Sequence, residues 1–304
     1  MSLILEIQNL KKTYWNNEVL KWVNLNVEQG DFFALLGHNG AWKSTTIWVM
    51  TSLVNKDSGK VIIWWVDIDI NFSRAKTFIW VVPQEFNFDI FAKVEDICLF
   101  AAGYYGVPRV EAKKRVEYYL GKLDLWEKRD AKAKELSGWM KRRLMIARAL
   151  MHEPKILVLD EPTAGVDVEL RQTMWQFIRE LNEEKWVTII LTTHYLEEVE
   201  ELCRNVAILT DGKIVHQGSV KKLLATLDSE IFVLDLRDEL HDIPKRFSQY
   251  HPKLVDSKTL ELTVKADESV NTIFSVLSEK WVEVLSMRNK SNRLEQLFLK
   301  LAKK

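Results

Sequence analysis

"GHNGAWKST", residues Gly37–Thr45, is the stretch on which the reading of this chain turns. Set against the phosphate-loop pattern G-x-x-x-x-G-K-[ST], it places Gly37, Lys43 and Ser44 correctly and puts Trp42 where a second glycine belongs. The apolar run in "EQGDFFALLG" leads into it as a strand, and "KSTTIWVMTSLV" leaves it with helical spacing. Strand, loop and helix in that order form the setting in which backbone amides and a helix N-terminus hold phosphate groups. The expected cradle is His38, Asn39, Gly40, Ala41 and Trp42, continued by Lys43, Ser44 and Thr45 at the helix start. The lysine would neutralise the outer phosphates, and the Ser44 hydroxyl would bind Mg2+.

Outward from the loop, "LILEIQNL" and "VLKWVNLNV" read as short strands between turn signals. Downstream, from about residue 90 to 150, the pattern turns helical and charged. "VEDICLFAAGYYG", "VEAKKRVEYYLGKLDL" and "GWMKRRLMIARAL" carry apolar residues at three-and-four spacing, which predicts an inserted helical subdomain. A buried strand "KILVLD" follows, then a helix over 168–184, a strand "VTIILTTH", a helix over 195–202 and strands near 205–209 and 213–217. Apolar strands separated by helices predict a mainly parallel sheet. After about Ala225 a smaller α/β unit begins, with strands "EIFVLDL", "TLELTV" and "VEVLSMR", a helix around 268–280 and a last amphipathic helix "RLEQLFLKL". The expected domains are 1–222 and 226–304, the second a packing or regulatory module without a catalytic constellation.

Composition narrows the function classes. With 43 Lys+Arg against 43 Asp+Glu, nothing in the charge balance favours nucleic acid or a membrane surface. Cys98 and Cys203 lie far apart without metal spacing and read as reduced thiols. The start "MSLILEIQNLKK" reads as a strand and not as a secretory signal, so a cytoplasmic chain is expected. No apolar run approaches the roughly 20 residues that span a bilayer, so a membrane role calls for a partner.

A second constellation supports the loop. In "ILVLDEP" an apolar strand ends in Asp160 and Glu161. Neighbouring strand residues face opposite ways, so Asp160 is expected to hold Mg2+ through water and Glu161 to polarise an attacking water. At this point the chain, over residues 4 to about 220, resembles the nucleotide-binding subunits of ABC transporters. The resemblance implies an α/β fold of the P-loop NTPase type with a mainly parallel central sheet, an antiparallel N-terminal β subdomain, the inserted helical subdomain and the small C-terminal α/β module. It further implies that Tyr14 in "KKTYW" stacks on the adenine of ATP, and that Gln84 in "VVPQE" touches Mg2+ and water and faces a membrane partner. "LSGWM" resembles the family signature LSGGQ, so Ser137, Gly138 and Trp139 would meet the γ-phosphate held by an opposite subunit. Asp167 in "AGVD" would lie on the loop crossing a dimer interface, and His194 in "LTTH" would contact the γ-phosphate.

"YYGV", "LSGWMKRR", "DEPTAGVD" and the C-terminal module resemble the multidrug and polysaccharide exporters of ABC-2 type. That resemblance implies a homodimer of ATPase subunits, bound on the inner face of the membrane to a separate permease. A soluble ABC ATPase acting on ribosomes or DNA, and an impaired subunit, are the alternatives. Single occurrence of the ATPase motifs favours transport.

The chain has 11 glycines and 12 tryptophans, where average usage gives about 21 glycines. Trp15, Trp42, Trp65, Trp80, Trp139, Trp186 and Trp281 all stand where the family often has glycine, whereas Trp126 and Trp175 do not. Three explanations compete: a decayed site, an adaptive use of indoles, or one codon written here as tryptophan and decoded in the source as glycine. Decay should also have touched Lys43, Asp160, Glu161 or His194, all of which are present, and adaptation would need a ligand at every scattered turn. The codon explanation covers the glycine deficit and the intact catalytic side chains together.

Overall fold

The computed structural model describes residues 2–295 and 297, leaving aside 39, 228, 244, 266–267, 280–281 and 291–292. Asn39, Trp281 and much of the expected last helix "RLEQLFLKL" therefore lie outside the described residues. The chain divides into two compact units, Met1–Ser219 and Val220–Lys304.

In the first unit, β1 (Leu3–Tyr14) and β2 (Asn17–Glu28) form an antiparallel hairpin. The wholly buried β3 (Phe32–Leu36) runs into the phosphate loop, and α1 (Lys43–Met50) leaves it. β4 (Ser58–Ile63) and β5 (Val66–Asp67) complete an antiparallel sheet of order β2-β1-β4-β5. After α2 (Ile68–Ala75) and β6 (Ile79–Val82), the chain enters a helical segment of α3 (Val94–Tyr104), α4 (Arg109–Lys122) and α5 (Gly138–Ala149). It returns through β7 (Ile156–Asp160), α6 (Val168–Lys185), β8 (Thr188–Thr192), α7 (Leu196–Leu202), β9 (Asn205–Thr210) and β10 (Lys213–Ser219).

The central sheet has the order β10-β9-β3-β8-β7-β6 and is parallel except at the β9–β10 edge. "FFALL" and "TIILT" are buried at every position, and "ILVLD" at every position but the last, because both faces of this sheet are covered. One core joins Phe33, Val158 and Ile190 of this sheet to Leu5, Leu20 and Val61 of the antiparallel one. With β3 central, the phosphate loop opens at the carboxyl ends of the parallel strands, where α/β sheets bind ligands.

The second unit contains α8 (Val220–Leu224) and a sheet of order β12-β13-β11-β14. Its strands are β11 (Ser229–Leu236), β12 (Lys253–Asp256), β13 (Thr259–Lys265) and β14 (Val284–Asn289), and α9 (Val270–Glu279) packs against them. Ile273 and Leu277 of α9 share a core with Leu234, Leu260 and Leu262. The short, largely polar β12 is not among the expected strands. Cys98 and Cys203 are free and buried.

Candidate active site

The phosphate loop is fixed by its closest approaches. A Cβ on Gly37 would lie 2.5 Å from the carbonyl oxygen of Leu209, and Gly40 adopts φ +82°. The Lys43 Nζ donates to the carbonyls of Gly37 at 2.5 Å and His38 at 3.4 Å, tying the loop to the first turn of α1. Burial pushes the Lys43 ammonium below its usual range, while Glu161 and Asp160 push it back up. Trp42 closes the loop as the N-cap of α1 with φ 71°, and its indole packs against the main core. Tyr14, at the end of β1, has its ring centroid 6.4 Å from that of Trp42, so it flanks the cradle.

Asp160 is the last residue of β7 and faces Thr192 across the parallel register. The Thr192 hydroxyl donates to its carboxylate. Burial raises the Asp160 carboxyl above the ordinary range, against the Thr192 bond; Glu161 raises it further, and Lys43 and Arg142 pull it down.

Glu161 departs from the strand-alternation argument. β7 stops at Asp160, and Glu161 turns out of the strand with φ 49°. Its amide donates to the Thr192 carbonyl at 3.0 Å. This turn swings its carboxylate back to the same cleft as Asp160 instead of to the opposite face. There it accepts from Gln84 Nε2 at 3.2 Å and lies 3.2 Å from His194 Nδ1. His194 follows β8 and Gln84 follows β6, so three strand ends converge on one carboxylate.

A cleft of about 380 Å³ is lined by His38, Gly40, Trp42, Lys43, Ser44 and Thr45 from the loop side and by Gln84, Asp160 and Glu161 from the sheet side. Ala41 is buried beneath the loop. Ser137 and Gly138 are exposed at the start of α5, where the Ser137 hydroxyl accepts from the Met140 amide at 3.2 Å. Trp139 follows them, half-buried, with the Arg143 guanidinium 5.8 Å from its ring. Asp167 is exposed at the N-cap of α6. Among the described residues, none of these four lines the phosphate-loop cleft.

Two residues escaped the sequence reading. Thr192 orients Asp160, and its only sequence signal is its place two residues before His194. The buried Arg142 donates to the carbonyls of Pro83 at 2.8 Å and Gln84 at 2.6 Å, clasping the glutamine segment to α5.

A phosphate loop, a strand-end aspartate and a glutamate held between glutamine and histidine together define the nucleotide cleft of a P-loop NTPase. Residues 20–164 match the ABC transporter family. The linearmycin resistance ATP-binding protein LnrL of Bacillus subtilis is 32% identical over 305 residues, covering 98% of each chain. The Nod factor export ATP-binding protein I of Burkholderia thailandensis is 33% identical over 304 residues, covering 98% of this chain and 96% of its own. Among solved structures, cbiO1 from Clostridium perfringens, part of an ABC transporter complex, is 31% identical with a TM-score of 0.68, over 74% of this chain and 92% of its own. A dimeric ATP-binding cassette in a post-hydrolysis state with ADP and Pi is 27% identical with a TM-score of 0.65, over 71% of this chain and 98% of its own. The chain belongs to the ABC transporter family as an ATP-binding subunit, and its chemistry is ATP hydrolysis.

Proposed function

We propose that this chain is the ATP-hydrolysing subunit of an ABC-2 type exporter, working as a homodimer on the inner face of the membrane beneath a separate permease. The observation that carries this reading is the divided site: the cradle, Asp160 and Glu161 share one cleft, while Ser137 and Gly138 are exposed elsewhere on the same chain. A second copy supplies what one copy lacks. Phosphates held by one cradle meet Ser137, Gly138 and position 139 of the other copy, with Asp167 on the loop between them.

Within the cleft, Tyr14 stacks on adenine and Lys43 neutralises the β- and γ-phosphates. Ser44, Gln84 and Asp160 bring oxygen donors into the one cleft, a hard set that suits Mg2+. When bound there, the ion supplies charge neutralisation on the phosphate oxygens. Glu161 polarises the attacking water, and Gln84 and His194 hold its carboxylate in place, His194 also reaching the γ-phosphate. The homologues named for linearmycin resistance and Nod factor export support an export role. The balance of 43 basic and 43 acidic residues gives no electrostatic reason to expect nucleic acid as a partner.

The test is a chain with Trp42→Gly, Trp139→Gly and Glu161→Gln, which can bind ATP but not consume it. Sedimentation is expected to find monomer without nucleotide and dimer with ATP. A monomer in both, with ATP bound, overturns the sandwich.

A further inference from the structure

Among the 12 tryptophans of the chain, Trp15, Trp22, Trp42, Trp64, Trp65 and Trp186 have φ between 48° and 71°. This is the left-handed region, where a Cβ crowds the backbone and a bulky residue is an outlier. The settings of these residues ask for glycine on separate grounds. Tyr14 pairs with Asn17, so Trp15 and Asn16 form a two-residue hairpin loop with positive φ at the first position alone, the turn that takes glycine there. Ile63 pairs with Val66, so Trp64 and Trp65 form a second such loop with positive φ at both positions, the turn of Asn-Gly and Gly-Gly. Trp22 lies in β2 where the register slips between the pairs Leu10–Val23 and Lys12–Leu20, a bulge whose left-handed residue is characteristically glycine. Trp186 ends α6 at the position glycine takes in helix C-caps. Trp42 closes the phosphate loop.

At four of these sites the indole brings little burial in return. Trp15 is 99% exposed, Trp186 69%, Trp65 64% and Trp22 59%. Trp175 is the contrast. It lies inside α6 and its indole N–H donates to the buried Glu198 at 3.1 Å, the one indole among the described residues that reaches an acceptor. The strained backbone therefore separates two kinds of tryptophan, and adds Trp22 and Trp64 to the positions suspected from sequence.

We propose that the protein in its source carries glycine at 15, 22, 42, 64, 65 and 186, through one codon written here as tryptophan, and that Trp175 is a genuine tryptophan from a different codon. The remaining tryptophans follow whichever codon encodes them. The inference rests on backbone geometry at turns, a bulge and helix ends, and stands whatever the chain transports.

Peptide mass spectrometry of the chain isolated from its source reads these identities directly. Glycine is expected at all six positions and tryptophan at 175. Tryptophan at any of the six, or glycine at 175, overturns the proposal. In the chain as written, Trp15→Gly, Trp65→Gly and Trp186→Gly combined are expected to raise the thermal midpoint, since these three indoles bury little. An unchanged or lowered midpoint overturns the claim that the backbone there calls for glycine.

Discussion

His152 sits between the rings of Tyr105 and Trp80, with centroids 3.9 Å and 5.2 Å away, and among the described residues neither of its ring nitrogens has a hydrogen-bond partner. Burial, with the nearby Arg115 adding to it, pulls the imidazole from 6.5 down to about 4. Because the folded value is the lower one, the unfolded chain takes up the proton first as pH falls. The stability contribution is complete above 6.5 and is lost progressively toward 4, on the order of 2 kcal/mol by pH 4.5. Urea unfolding at pH 7 and 4.5 checks this: His152→Phe should remove about that much of the acid loss. Residue identity was the part most legible in the sequence. Gly37, Lys43, Ser44 and Asp160 lie in motifs of fixed spacing, and the structure brings Lys43, Ser44 and Asp160 to one cleft. Trp22 and Trp64 were not legible as glycine sites, because a bulge and the first position of a tight turn are defined by cross-strand register. Glu161 was legible as an acid but not in its direction, since one residue of strand length decides which way it faces.

At the scale of elements, α5 makes contacts along its whole length. Its N-terminus presents Ser137, its middle sends Arg142 to the Pro83 and Gln84 carbonyls, and its last turn sends Arg148 to Asn87, with bonds of 3.0 Å and 2.6 Å. The helix thereby grips the whole segment that follows β6. Removing the guanidinium with Arg142→Ala leaves two carbonyls without their donors, a loss of about 3 kcal/mol when charged hydrogen bonds are broken in a buried setting. Urea unfolding should register that loss. In the background with glycine at 42 and 139, kcat for ATP should fall further than in Arg142→Lys, which keeps the charge but not the two-pronged grip. The helical spacing of "GWMKRRLMIARAL" made the element legible beforehand. The clasp was not, because arginines in an amphipathic helix read as solvent-facing until their partners 58 and 59 residues away are placed.

At the scale of the molecule, the first unit carries an apolar groove far from its charged cleft in character. Ile90, Phe91, Phe100 and Tyr104 are exposed, and Phe100 and Tyr104 join Ala101, Ile97 and Arg148 around a cleft of about 500 Å³. No helix among the described residues is long and apolar enough to cross a membrane. On the reading proposed above, the permease would offer an apolar helix face to a groove of this kind. Phe100→Asp should abolish co-purification with the permease while leaving ATP-dependent dimerisation intact. Retained co-purification would remove the groove from the docking site. The order of α/β elements was legible from periodicity. The strand β12 was not, since "KLVD" is too short and too polar to stand out before β13 pairs with it.

The grip of α5 has a consequence for control. Arg148 lines the groove, Arg142 holds the backbone of Gln84, and Gln84 holds Glu161, so one helix reaches the groove directly and Glu161 through Gln84. Coupling of this kind is reciprocal: whatever factor ATP applies to the partner's affinity, the partner must apply to that for ATP. On the reading proposed above, a permease that changes its hold on the groove would thereby change how tightly the cleft holds ATP, and ATP would change how tightly the permease is held.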